Sequence, residues 1–142
     1  MHRMVAVSVC TLALLPGLSY SAATRESFNL RNAQDLVDLC AVPEGDPMTE
    51  AARGFCYGYL SGAGNYHRAT HPTAATKPLF CLPEAKAMPS RAEVAKRFVE
   101  WGQAHPEHMQ EPAIDALVRF AVETWPCPEK PEKPARPRRG GA

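Results

Sequence analysis

The chain has 142 residues, 45% of them hydrophobic and 22% charged, with sixteen basic and fifteen acidic residues and a net charge of +1. That length holds one domain at most, and so even a charge balance gives no general attraction to nucleic acid or to an anionic membrane. The first 23 residues stand apart: "MHR" is a short positive start, "MVAVSVCTLALL" an apolar run, "PG" a breaker, and "SAA" places small residues ahead of Thr24. This is the pattern of a secretory signal peptide cleaved after Ala23. The run falls short of the ~20 apolar residues a membrane span needs, so no stable insertion is expected. Cys10 follows Val9 rather than a small residue, which argues against lipid attachment.

Four helical segments are expected in the remaining chain. In "NLRNAQDLVDLCAV", Leu36, Leu39 and Cys40 share a face, and the helix ends near Pro43. The second begins at "DPMTE", with Asp46 as cap and Pro47 at the first helical position, and runs to about Ala69. From Thr70 to Pro89 four prolines forbid a long regular element, which predicts a loop pinned at Cys81. "SRAE" then gives a capping box, Ser90 with Glu93, opening a third helix through about Ala104 with Val94, Phe98 and Trp101 as its apolar stripe. Pro112 starts a fourth, whose stripe is Ile114, Leu117, Val118, Ala121 and Trp125. No stretch alternates with period two, so no strand is expected. The segment 128–142 carries five basic residues against two acidic ones and is rich in proline, a composition that cannot bury a core and predicts a disordered, solubilising tail. Between it and the leader, residues 24–127 hold ten basic residues against thirteen acidic ones.

Removal of the leader leaves Cys40, Cys56, Cys81 and Cys127. An even number in a small exported chain points to disulfides, and none of the spacings is the C-x-x-C of a zinc or redox site. Three pairings are formally possible. Cys40 with Cys56 and Cys81 with Cys127 is favoured, because the first joins one helix end to the next helix and the second ties two loop-like ends. Closing the 15-residue gap between Cys40 and Cys56 is worth about 3 kcal/mol in the chain-entropy model. The expected fold is therefore a small all-α, four-helix domain stapled by two disulfides.

The second helix contains Gly54, Gly58, Gly62 and Gly64, each costing about 1 kcal/mol relative to alanine. At 100° per residue Gly54, Gly58 and Gly62 line one seam, where a second helix could approach closely. The favoured partner of this helix-packing seam lies within the chain; a second copy, making a homodimer, is the alternative. On the opposite face stand Tyr57 and Arg68.

Several blocks carry a resemblance: "GFCYGYLSGAGNY", "FCLPE" and "VAKRFVEWGQAHPEHMQEPAIDALVRFAVETWPCP". Their succession resembles the Tai family, the type VI secretion amidase immunity proteins. The matching features are Cys56, Gly58, Tyr59 and Gly62; Phe80, Cys81 and Pro83; Pro106 and Glu107; and Trp125, Pro126 and Cys127. They span about residues 30–128. The resemblance implies a periplasmic helical protein that binds and blocks a peptidoglycan amidase. The candidate contacts are the loop from His71 to Leu79, with His71 and Lys77, and the exposed side of the glycine helix, with Tyr57 and Arg68. Tyr and Arg are effective interface anchors.

A catalytic reading has little support. The mature cysteines are better used as disulfides than as nucleophiles. His67 and His71 stand four apart, but Pro72 ends that helix and no third ligand lies near; His105 and His108 flank a turn. No phosphate loop and no serine elbow is present. No metal or cofactor is expected. The competing non-enzymatic reading is an envelope-stress or holdase-like protein that opens at mildly acidic pH through these four histidines; a relative that has kept the scaffold but changed its protein partner is another.

Overall fold

The computed structural model describes residues 23–72 and 76–128. The expected leader and the proline-rich tail lie outside these residues except for positions 23 and 128. Four α-helices form the domain: α1 (Ala33–Cys40), α2 (Thr49–Thr70), α3 (Arg91–Ala104) and α4 (Ala113–Thr124). Among the described residues there is no strand. Two short 3-10 turns, Arg25–Asn29 and Pro106–His108, complete the order; the first lies in a stretch for which no element was expected.

The shortest helix occupies the centre. α1 touches each of the other three helices as well as the first 3-10 turn. An eight-residue helix is marginal alone, and its orphan N–H groups must find partners. They do: the Asn32 side chain accepts from the Asp35 N–H at 3.1 Å, and the Ala33 and Gln34 N–H groups donate to the Glu111 and Met109 carbonyls at 2.8 and 3.0 Å. The turn at 109–111 thus caps α1 from outside. Around it close Leu36 and Val37 of α1, Phe98 and Trp101 of α3, Met109, and Ala116 and Phe120 of α4, all buried. Phe98 and Phe120 meet edge to face at 5.5 Å, a geometry worth about 0.5–1.5 kcal/mol beyond the area buried.

The disulfides are Cys40–Cys56 and Cys81–Cys127, with Cα separations of 5.2 and 4.8 Å. The first joins the last residue of α1 to the second turn of α2, and the second ties the long loop to the chain just beyond α4. This is the pairing favoured on sequence.

Three local expectations are corrected. Asp46 and Pro47 lie in the turn before α2 rather than at its start, where Asp46 accepts from the Met48 N–H at 2.7 Å. The stripe on α4 is only partly the core face: its Leu117 and Ala121 are buried, together with Ala113, Ala116 and Phe120, while Ile114 is exposed and Val118 half-buried. Finally, the seam of Gly54, Gly58 and Gly62 does not pack within the chain. All three are exposed, and among the described residues no heavy atom lies within 4 Å of where a Cβ would stand, apart from each residue's own local backbone. The glycine that does admit a close approach is Gly102, where a Cβ would fall 2.8 Å from Val37 Cγ2 and 3.3 Å from Met109 Sδ. It lets α3 settle on α1.

Candidate functional site

The C-terminal half of α2, the anchored part of the long loop and the outer face of α4 enclose a groove of about 610 Å³. Its construction begins with the proline spacing of the loop, which leaves few backbone hydrogen bonds within it. Tertiary contacts supply the order instead. The Cys81 N–H donates to the Trp125 carbonyl at 2.8 Å, in register with the Cys81–Cys127 disulfide beside it.

One turn further in, the buried His67 ring lies against Phe80 with centroids 3.8 Å apart and planes 13° from parallel. Its Nε2 is 3.0 Å from the Phe80 carbonyl oxygen. A carbonyl only accepts, so Nε2 carries the proton and donates. The His71 ring lies beside His67, tilted by 31° with centroids 4.5 Å apart, and its Nδ1 is 3.1 Å from the His67 carbonyl oxygen, closing the end of α2. His67 therefore clamps the loop to the helix, and His71 closes the helix end beside it. Among the described residues no group of three or more His, Cys, Asp or Glu side chains is arranged to hold a metal ion.

The wall from α4 and its C-cap is formed by Ile114, Leu117, Val118, Ala121 and Trp125, which the sequence singles out as an apolar stripe, together with Phe120. Leu79 on the loop is 60% exposed, Ile114 is 44% exposed, and Tyr66 on α2 is 73% exposed. The mouth is cationic. Arg68 and Arg91 line it, while no aspartate or glutamate does. Arg68 reaches only the Met88 sulfur, at 4.0 Å, and among the described residues neither arginine forms an ion pair.

Of the four contact candidates, the structure brings two together at this groove: Arg68 and His71 both line it. Lys77 stands on the adjoining loop, exposed and with a left-handed backbone (φ +49°). Tyr57 is half-buried in the first half of α2 and takes no part in the lining. Leu79 ends the loop that the sequence marks as a contact, but sequence reasoning missed Arg91 and the outward turn of Ile114. Only the last left a signal, an apolar stripe on α4 wider than one packing face requires.

A second cluster sits at the other end of α3. Trp101 Nε1 donates to Glu123 at 2.7 Å, and the Trp101 ring stacks on His105 at 4.6 Å and on His108 at 5.8 Å. Glu111 accepts from Arg119 at 2.8 Å and pairs with His108 at 2.9 Å. Arg119 first, then His108, holds the Glu111 carboxyl below its ordinary value. These groups satisfy one another and close over the core.

No helix among the described residues is long and apolar enough to cross a membrane. No curated protein and no solved structure matches the chain. The family model of the Rap1a immunity proteins matches residues 32–127, from the N-cap of α1 to the last disulfide cysteine. Membership of such a family implies a non-enzymatic inhibitor that binds a protein effector, and two disulfides fit an exported chain. With well over half of its length matched, including all four helices and both disulfides, the chain belongs to the family of Rap1a immunity proteins.

Proposed function

We propose that this protein is a periplasmic immunity protein of the Tai type, which binds a peptidoglycan amidase effector of the type VI secretion system and blocks its cleft. The carrying observation is the family match over residues 32–127, which makes the whole stapled scaffold that of an immunity protein. The amidase rests on the finer resemblance of the C-x-G-Y-x-x-G, F-C-x-P, Pro-Glu and Trp-Pro-Cys blocks. In this reading residues 1–23 are a leader removed on export, 24–127 the binding domain, and 128–142 a solubilising tail. The effector meets the end of the molecule that carries Arg68, His71 and Lys77, with Tyr57 at the edge of the contact. Disulfides hold this surface in place beforehand, so little ordering entropy is lost on binding.

The experiment is affinity capture from periplasmic extract on the immobilised oxidised protein, with partners identified by mass spectrometry and tested for peptidoglycan cleavage. A stoichiometric amidase held at nanomolar strength, about 12 kcal/mol, and silenced in the complex is the expected result. Recovery of no discrete partner overturns the reading. So does recovery of many unfolded clients as pH falls, which would favour the envelope-stress alternative.

A further inference from the structure

We propose that the groove between α2, the 79–91 segment and α4 is a receptor for an apolar, acidic segment of the effector, so that the inhibitor accepts a piece of its target as well as covering it. The inference rests on the proposed inhibitor role and adds to it a contact surface and the chemistry of its occupant.

Three observations carry it. α4 carries apolar side chains beyond those that fill the core, and the chain covers these only in part, leaving Ile114 44% exposed and Val118 and Trp125 half-buried. The outer set, Ile114, Val118 and Trp125, lines the groove together with the exposed Leu79. An apolar strip of this kind, rimmed by polar groups, marks a contact site. The floor is fixed in advance: the His67–Phe80 stack, the hydrogen bond from the Cys81 N–H to Trp125 and the disulfide beside it hold loop and helices at a set spacing. The charge is one-sided. Residues 24–127 hold more acidic than basic residues, yet the groove is lined by Arg68 and Arg91 and by no carboxylate. Complementarity of this kind selects the sign of the partner and speeds encounter.

The same charge argues against the chain's own C-terminal segment as occupant. Beyond Pro128 it has five basic residues and two acidic ones, the wrong sign for this rim. A partner segment with two or three apolar side chains for the strip and an Asp or Glu for the arginines matches both features.

The test is a selection of random twelve-residue phage-displayed peptides on the oxidised, exported protein, counter-selected on the Ala85→Trp variant. Ala85 is an exposed turn residue lining the groove, so tryptophan there fills the opening without entering the core. Enriched peptides are expected to pair apolar residues with at least one Asp or Glu and to bind the unmodified protein at least tenfold more tightly than Ala85→Trp. The double variant Arg68→Glu with Arg91→Glu, at two exposed positions that the fold does not need, should weaken the same peptides at least tenfold and reverse the charge selected.

Failure to enrich beyond the counter-selection overturns the proposal, and so does enrichment of peptides without acidic residues. A dimer in solution that Ala85→Trp converts to monomer would place a second copy in the groove and overturn it too. An amidase captured equally well by the protein and by Ala85→Trp would sink the groove while leaving the inhibitor reading in place. Acidic, apolar peptides selected as expected, with no amidase captured, would retain the groove's chemistry and remove the amidase.

Discussion

The two sides of α4 differ in how their apolar surface is used. On the inner side Ala116 and Phe120 meet α1 and α3, and the space between helices is filled by Leu36, Phe98 and Trp101. On the outer side Ile114 and Val118 are no less apolar, yet Ile114 is 44% exposed and Val118 only half-buried. The comparison separates residues that hold the fold from residues that hold something else, although hydropathy alone treats them alike.

Truncation is the direct way to break that comparison. Phe98→Ala should cost about 3–5 kcal/mol, as large-to-small changes in a filled core do, and lower the melting temperature by on the order of 15 °C or more. Ile114→Ala should cost less than about 1 kcal/mol, because the exposed side chain leaves no cavity. Denaturant melts of both variants give the two numbers. An Ile114 cost equal to that of Phe98 would mean the groove wall is a second core.

The disulfides divide along the same line. Replacing Cys40 and Cys56 together by serine should remove about 3 kcal/mol, because that bond joins α1 to α2. Replacing Cys81 and Cys127 opens a longer loop, so the chain-entropy loss is somewhat larger, about 4 kcal/mol. Its distinctive effect should be on binding, since this bond fixes the groove floor. Stability and effector affinity measured on both double variants should therefore fall in different proportions, with affinity lost more steeply from the second.

Gly102 sharpens the contrast at the level of a single methyl group. Gly102→Ala should destabilise by about 1–3 kcal/mol, since its Cβ would stand 2.8 Å from Val37 Cγ2 in a filled core, where the Val37 side chain or the spacing of the helices must give. Thermal melts check it.

Asp35 provides a smaller effect with a pH signature. Its carboxylate accepts from the Arg31 guanidinium at 2.8 and 2.9 Å and from the Arg31 backbone N–H at 2.9 Å. The side-chain hydrogen bonds from Arg31 are the largest cause holding its pKa below the ordinary value of 3.8; burial opposes them, and backbone N–H groups add to them. As pH falls, the unfolded chain therefore takes up this proton before the folded one does. The stabilisation is complete above the ordinary carboxylate range and is lost as pH falls through the lowered value. Asp35→Asn should cost about 1–2 kcal/mol at pH 7 and almost nothing once the pH is below both values, a convergence that melts along a pH series would reveal.

Much of this was legible in the sequence, for physical reasons that can be named. Ser90 accepts from the Glu93 N–H at 3.2 Å as the capping pattern requires, and the prolines of the long loop kept regular structure out of it. The cysteine pairing followed from which ends the helices bring near one another. What stayed hidden depended on tertiary partners. The inward turn of Phe120 and the outward turn of Ile114 are set by where α1 lies, and both satisfy a helical period equally well. Arg91 joined Arg68 only through the path of a loop, and no local pattern records that meeting. His71 was foreseen on the loop and Arg68 with Tyr57 on the helix; the fold brings His71 and Arg68 to one groove and leaves Tyr57 away from it.

The exposed glycines of α2 produce the smallest effect and one of opposite sign. Gly54→Ala, Gly58→Ala and Gly62→Ala should each stabilise the isolated chain by about 0.4–1 kcal/mol, because alanine restricts the unfolded state and fits a helix that leaves the site open. Three positions that each give up such a gain along one face need a reason outside this chain's own packing. If a second copy or a partner helix lies on the seam, the triple variant will melt higher while its association constant falls. If association is untouched, the glycines carry no contact and the gain in stability stands alone. Measuring both quantities on one variant separates a face kept bare for a partner from a face merely left unfilled.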